Sequence, residues 1–439
     1  MNARRVVVGA VFFVVSACND GGAPDGGNVV TDAGNGACPV GTGTVHSAYI
    51  DADETWLATG NPHRVTANIR VNGNATLTLG PCVQVLVDPG VGFQVGFQGA
   101  TSRLVTQGTQ AQPVELKARD PNSPWLNVTV QHPGGVSLAW TTLSGAGSDP
   151  LRFGASVVAR GDSALPLKKV LSVDHLTVAD SAGVGLLVEW FAGFSDASTA
   201  LTVRGARGAA LRVSTPAVAT IPAGTYTGNT RDELAIDAAQ DINDADTFHA
   251  RGVPYLLLTD LKVRPATTAA PAAHLTVEAG AVLRFQKDGK LVIGSGASAG
   301  NTALAALTVT GTAASPVVFT SAVSPPAAGD WRGIFFEGWA PGGSSVEHAV
   351  IEYAGADCLC SGYSCATGQS SAVFLWNTQP ASAFIQNTTF AHITGNGVMS
   401  GWVGNSGPNF ITGNTFTDVS GCSQTLWRNP AGTCASECL

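Results

Sequence analysis

Charge is what this 439-residue chain has least of. Asp, Glu, Lys and Arg make up 12% of it, against about 25% in an average soluble domain. The 23 basic residues form no stripe and interleave with no aromatic cluster, and the formal net charge is −8. Phosphate neutralisation needs clustered cations, so no nucleic-acid partner is expected. Stretches rich in Lys, Glu and Ala are also missing, which leaves little material for amphipathic helices. No apolar run reaches the roughly 20 residues that a membrane-spanning helix needs. There is no phosphate loop, no dinucleotide fingerprint and no zinc-protease helix. The eight His are scattered without ligand spacing, so neither a metal nor another cofactor is expected.

Glycine and repetition are what the chain has in excess. Its 53 Gly are roughly 12% of the residues, against about 7% in average usage. Apolar runs of three to six residues alternate with Gly, Asn and Pro, the pattern of short strands and turns. The chain also says nearly the same thing twice. Residues 78–96 read TLGPCVQVLVDPGVGFQVG, and residues 276–294 read TVEAGAVLRFQKDGKLVIG, 276 − 78 = 198 positions later. Leu104-Val105-Thr106-Gln107-Gly108-Thr109 returns as Leu307-Thr308-Val309-Thr310-Gly311-Thr312. Trp125 returns as Trp331, and SLAWTTLSGAG from Ser137 returns as SVEHAVIEYAG from Ser345.

Repeated short strands separated by Gly-rich turns predict an all-β solenoid. Two similar passes in tandem are expected, over residues 38–240 and 241–421, joined end to end or kinked within 241–254. Coils of roughly 20 to 25 residues, about 4.8 Å apart, predict a rod of the order of 80 Å. Alternation in the second pass predicts Val317, Phe319, Ile334 and Val350 inward.

The N-terminus reads as an address. Arg4 and Arg5 precede the apolar run 6–17, and Cys18 follows directly. The run is too short to span a bilayer but fits a secretory signal over residues 1–17. Val15-Ser16-Ala17-Cys18 resembles a bacterial lipobox. That resemblance implies cleavage before Cys18 and acylation of its sulfur and its new amine. Residues 18–37, rich in Gly, Asp and Asn, read as a flexible tether. The lipid would hold the protein on the bacterial cell envelope, at the outer membrane or cell surface.

Eight further Cys remain, and an even number in an exported chain reads as disulfides. They are Cys38, Cys82, Cys358, Cys360, Cys365, Cys422, Cys434 and Cys438. Cys358, Cys360 and Cys365 do not have the usual paired spacing of a zinc site. Cys38 with Cys82 is the natural leftover pair, and residues 422–439 read as a Cys-rich cap over the last rung, with Trp427 covering the bore. Connectivity among the last six stays open.

Gly311-Thr312 with Val317-Val318-Phe319-Thr320, then Gly329-Asp330-Trp331-Arg332-Gly333-Ile334, resembles a pattern of bacterial right-handed parallel β-helix proteins. These belong to the pectin-lyase-like superfamily. The resemblance covers residues 270–420 well and the first pass less closely. It implies a right-handed parallel β-helix with a disulfide-capped C-terminus. It does not carry an active site, because the Asp-Asp and Gly-His-Gly motifs of β-helix hydrolases are missing. Glu337 and Glu352, separated by close to one coil of chain, are the candidate catalytic carboxylates, expected to stack on one face. Trp339, Trp376 and Trp402 are the candidate sugar-stacking platforms. The expected function is a non-catalytic surface or binding module, with polysaccharide as the leading partner. The alternative is a polysaccharide lyase or glycoside hydrolase with an unfamiliar site.

Overall fold

Alternation decides the fold rung by rung. In Thr76–Leu79 and Gln84–Val87 every second residue is buried: Leu77, Leu79, Val85 and Val87 face inward and the residues between them face out. Strands of three or four residues cannot close a core alone, so each stacks on its equivalent one coil away. In the computed structural model, residues 38–439 are described apart from 164–165, 268–269, 297–301, 338–342, 358–369, 378 and 429–433.

Each coil of the first pass lays down three strands. Glu54–Trp56, Thr76–Leu79 and Arg103–Gln107 stack on one wall. His63–Val65, Gln84–Val87 and Val114–Ala118 stack on a second. Ile69–Val71, Phe93–Val95 and Val128–Gln131 stack on a third. All these pairings are parallel. The second pass repeats the scheme. Its first wall starts with Ala245–Phe248 and Ala273–Glu278, its second with Tyr255–Leu257 and Val282–Phe285, its third with Leu261–Val263 and Lys290–Ile293. Among the described strands only Ser295–Gly296 and Thr302–Ala303 pair antiparallel. The protein is an all-β parallel β-helix.

The two passes form one rod. A thirteen-stranded sheet runs unbroken from Ile69–Val71 to Thr415–Val419. It is the third wall of the first pass but the second wall of the second pass. Equivalent residues confirm the offset. Ile50 bridges Val71, which lies on the long sheet, whereas Ile242 makes the same bridge to Val263 on a separate five-stranded sheet. The second pass is therefore turned by one wall about the rod axis. The turn falls between Gly224–Thr225, the last strand of the twelve-stranded sheet, and Ala245–Phe248.

Two expectations need correction. Many coils are longer than the spacing of turns suggests. Ala235 pairs with Leu256, but Val350 pairs with Thr389, so a late coil takes nearly twice as much chain as an early one. Thirteen rungs then make about 58 Å of rod at ~4.8 Å per rung, not 80 Å. Val317, Phe319 and Ile334 do point inward, but Val350 does not; Ala349 and Ile351 take the inward positions instead.

The turns explain why glycines recur. Gly147 and Gly355 hold equivalent places in the two passes, and both have left-handed backbone, with φ of 100° and 94°. A Cβ on Gly355 would lie 1.8 Å from the Thr394 carbonyl oxygen. Only glycine lets the next coil approach that closely.

Both ends are tied by disulfides. Cys38 is bonded to Cys82 at the start, and Cys422 to Cys438 at the end. Cys434 is also disulfide-bonded; Cys358, Cys360 and Cys365 lie outside the described residues. The tail adds a partial rung. Gly397 and Val398 donate to the carbonyls of Cys422 and Ser423, and Thr425 donates back to Val398. Trp427 is half-buried against the core. Cys434 continues down the outer flank and packs with Phe335, Phe374, Trp376 and Met399.

Candidate functional site

Of the Trp residues singled out in the second pass, Trp376 and Trp402 are packed into the structure. Trp402 is fully buried, and its indole N–H donates to the Ser406 carbonyl at 3.2 Å. Trp376 is 9% exposed, lies against Phe374, and carries the Arg428 guanidinium over its ring at 4.4 Å. Neither offers an open face to a sugar. Trp339 lies outside the described residues. Trp125 and Trp331 fill the bore, both fully buried. Their N–H groups donate to the carbonyls of Ser144 and Glu352, each at 2.8 Å. The expected carboxylate pair does not form on one face. Glu352 ends a strand of the long sheet and accepts from the Thr320 hydroxyl at 2.8 Å, while Glu337 follows Gly333–Phe336 on a five-stranded sheet. The two therefore sit on different walls, with the first-wall strand Ser345–Glu347 between them in sequence.

Open aromatic surface lies in the first pass, on the outer face of the long sheet. Arg160 stands over the Trp190 ring at 4.8 Å and Arg212 over the Phe153 ring at 4.0 Å. Trp190 is 52% exposed and Phe153 46%. Register builds the site: Arg160, Glu189, Ser214 and Asp237 occupy one outward position on four successive rungs. Arg152 and Arg160 converge on Glu189 at 3.1 and 2.9 Å, and Arg212 pairs with Asp237 at 3.2 Å. Val158 and Leu187 form a buried apolar floor. The equivalent wall of the second pass is the one that the C-terminal tail covers. Around the corner lies a second concavity of about 370 Å³, lined by Arg103, His132, Lys168 and Lys169. Nothing in the sequence marks Trp190. Arg160 and Arg212 meet this face only once coil lengths are known, and those differ nearly twofold along the rod.

Residues 257–359 match the family model of a pectate-lyase-like β-helix domain. They are such a domain. No curated protein matches the chain. No solved structure matches it either. The β-helix domain holds Trp331, Glu337 and Glu352, whereas the open aromatic face lies outside it, in the preceding pass.

Three titrating groups sit where the β-helix begins and where its passes meet: His46 and His63 at the start, Asp246 at the seam. At the entrance His46 stacks on Trp56 at 3.7 Å, and Trp56 lies flat against His63. His63 Nε2 donates to the Leu57 carbonyl, leaving Nδ1 to accept from His46 Nε2 at 2.9 Å. Burial lowers the pKa of both His, and Glu54 opposes it. At the seam a cavity of about 640 Å³ is lined by Asp241, Asp244, Asp246, Asp196 and Lys169. Burial pushes the Asp246 carboxyl up to about 7, against the backbone N–H groups of Thr247 and Ala219.

These shifts oppose each other in acid. The His pair binds protons more weakly folded than unfolded, so its contribution is full above pH 6.5 and falls as pH drops. Asp246 binds its proton more tightly folded, so its contribution is full below pH 3.8 and is lost as pH rises through about 7. Asp246→Asn is expected to raise stability at pH 8 by about 1–2 kcal/mol, a discount on 1.36 kcal/mol per pKa unit for partial solvent contact, and to change little at pH 4. In that variant the melting temperature should still fall on acidification below pH 6.5, through the His pair. Calorimetric scans from pH 8 to 4 check both; a pH-independent difference between parent and variant would refute the Asp246 assignment.

Proposed function

We propose that the protein is a lipid-anchored bacterial envelope protein whose β-helix body is a non-catalytic module that binds polysaccharide. The anchor rests on Val15-Ser16-Ala17-Cys18 after a short apolar run and before a Gly- and Asp-rich tether. The binding role rests on one observation above all. The rod ties both its ends with disulfides and covers one flank, yet leaves Trp190 and Phe153 open beside ion-paired charges. An exposed aromatic beside fixed polar groups is how a surface recognises a ring with apolar faces and hydroxyl edges.

Labelling with a radioactive fatty acid in the producing bacterium tests the anchor. Label is expected on the parent and absent from Cys18→Ser, which should also leave the membrane fraction. A labelled Cys18→Ser would overturn the assignment of Cys18. A glycan array probed with the full chain tests binding. A hydrolase reading is favoured by Asp246 alone, a half-buried acid with its pKa near 7 among other carboxylates. It requires release of new reducing ends that disappears in Asp246→Asn; binding without release supports the module.

A further inference from the structure

We infer that the groove around Trp190 is the glycan site and that it holds one uncharged sugar ring. This rests on the polysaccharide-binding reading above. The groove is small, about 110 Å³, and open to solvent. That is well below the several hundred Å³ of a site for a cofactor or drug-sized ligand. Its lining includes Phe153, Trp190, Glu189, Arg212, Ser214 and Gln240.

Charge argues against an acidic ligand here. Arg152 and Arg160 are both engaged by Glu189, and Arg212 by Asp237. A carboxylate or sulfate would have to displace an existing ion pair to reach a guanidinium. A hydroxyl need not, because carboxylate oxygens keep spare lone pairs and can accept a further bond.

Ser214 points to what is bound. The residue is 5% exposed, and its hydroxyl is buried with no hydrogen-bond partner, yet it lines the groove. Buried hydroxyls are normally paired, so an orphan at a cavity wall asks for a ligand group. It sits one rung from Glu189 and one from Asp237, so donors and acceptors recur at about 4.8 Å along the groove. A sugar ring carries hydroxyls around its edge to meet such a row and presents its C–H face to Trp190. Hydroxyl, acceptor and aromatic surfaces of this kind suit a neutral pyranose. The cation-lined cavity around Arg103 is where an acidic chain would go, and Arg103 forms no ion pair among the described residues.

The full chain in detergent micelles, titrated calorimetrically with neutral hexaoses (gluco-, xylo-, manno- and galacto-) and with an oligouronate, decides the matter. One neutral series is expected to bind. Trp190→Ala should weaken it about tenfold or more, the effect of about 1.4 kcal/mol. Ser214→Ala should weaken it several-fold with no loss of melting temperature, because it removes a hydroxyl that the free protein leaves unpaired. Neutral binding unchanged in both variants would place the site elsewhere while leaving the polysaccharide reading intact. Binding of the oligouronate alone, lost in Arg103→Ala and kept in Trp190→Ala, would move the site to the basic cavity and refute the neutral ligand. No binding in either class would refute the reading on which the inference rests.

Discussion

Trp331→Ala is expected to destabilise the protein by about 3–5 kcal/mol, the usual cost of emptying a buried aromatic site. Trp331 is fully buried and lies flat on Phe285 at 4.3 Å between ring centres. Its removal leaves a void in the bore and strips the Glu352 carbonyl of an indole donor at 2.8 Å. The lost hydrogen bond is part of that ~3–5 kcal/mol and not an addition to it. Trp331→Phe should separate the two effects, keeping most of the apolar contact and losing only the N–H. Trp125→Ala should behave in the same way one pass earlier, since it is equally buried and donates to Ser144. Urea denaturation with hydrogen-exchange readout would show the loss concentrated in the coils around each Trp. A solenoid spreads strain only to its neighbours, so the far pass should stay protected. A variant as stable as the parent would mean that neither ring holds its coils together.

The repeat was legible because the bore repeats. Thr78 and Thr276 are equivalent outward residues on first-wall strands, beside buried Leu79 and Val277. Period-two alternation says which residues face in, but not which wall a strand joins. The rotation of the second pass by one wall therefore left no trace in the sequence. Val350 shows how fragile register is: a slip of one position exchanges every inward residue for an outward one. The strand Ala349–Glu352 starts its alternation at Ala349, a residue too small to signal burial. Ser371–Asn377 shows the opposite difficulty. Val373, Phe374, Leu375 and Trp376 are all buried, because Val373 and Leu375 enter the bore while Phe374 and Trp376 lie beneath the tail. A strand covered on both faces reads as a continuous apolar run, which is how Trp376 passed for a surface platform. The groove at Trp190 was hidden for a related reason. Its lining residues come from successive coils, with Leu187 beside Arg212 and Ser214 beside Asp237, and nothing in their spacing alone ties them together.

Cys38→Ala is expected to loosen the entrance of the rod by about 4 kcal/mol, the loop-entropy value for a bridge spanning 44 residues. Cys438→Ala should loosen the exit by about 3 kcal/mol, since its bridge spans only 16. Each end needs its bridge for the same reason. A terminal rung has one neighbour instead of two, and its free N–H and C=O groups invite pairing with another chain. The entrance strand Thr44–His46 has three residues and, among the described strands, pairs with His63–Val65 alone. Cys38 is only half-buried, so its replacement reports the tie more than the packing. Cys82 keeps its place through Asn61, which donates to its carbonyl at 2.7 Å. Because a solenoid melts from its weakest coils, the losses should be local. Limited proteolysis should cut Cys38→Ala first near residues 38–60 and Cys438→Ala first near residues 422–439. The exit carries a second cost. When the tail lifts, Phe374, Trp376 and Met399 lose their cover, so the outer flank of the second pass becomes a new apolar surface. Cys438→Ala should therefore bind a hydrophobic dye and self-associate at concentrations where Cys38→Ala stays monomeric. Equal behaviour of the two variants would mean that the tail is held by its backbone pairing with Asn396–Trp402 and by the bridge at Cys434, not by Cys422–Cys438.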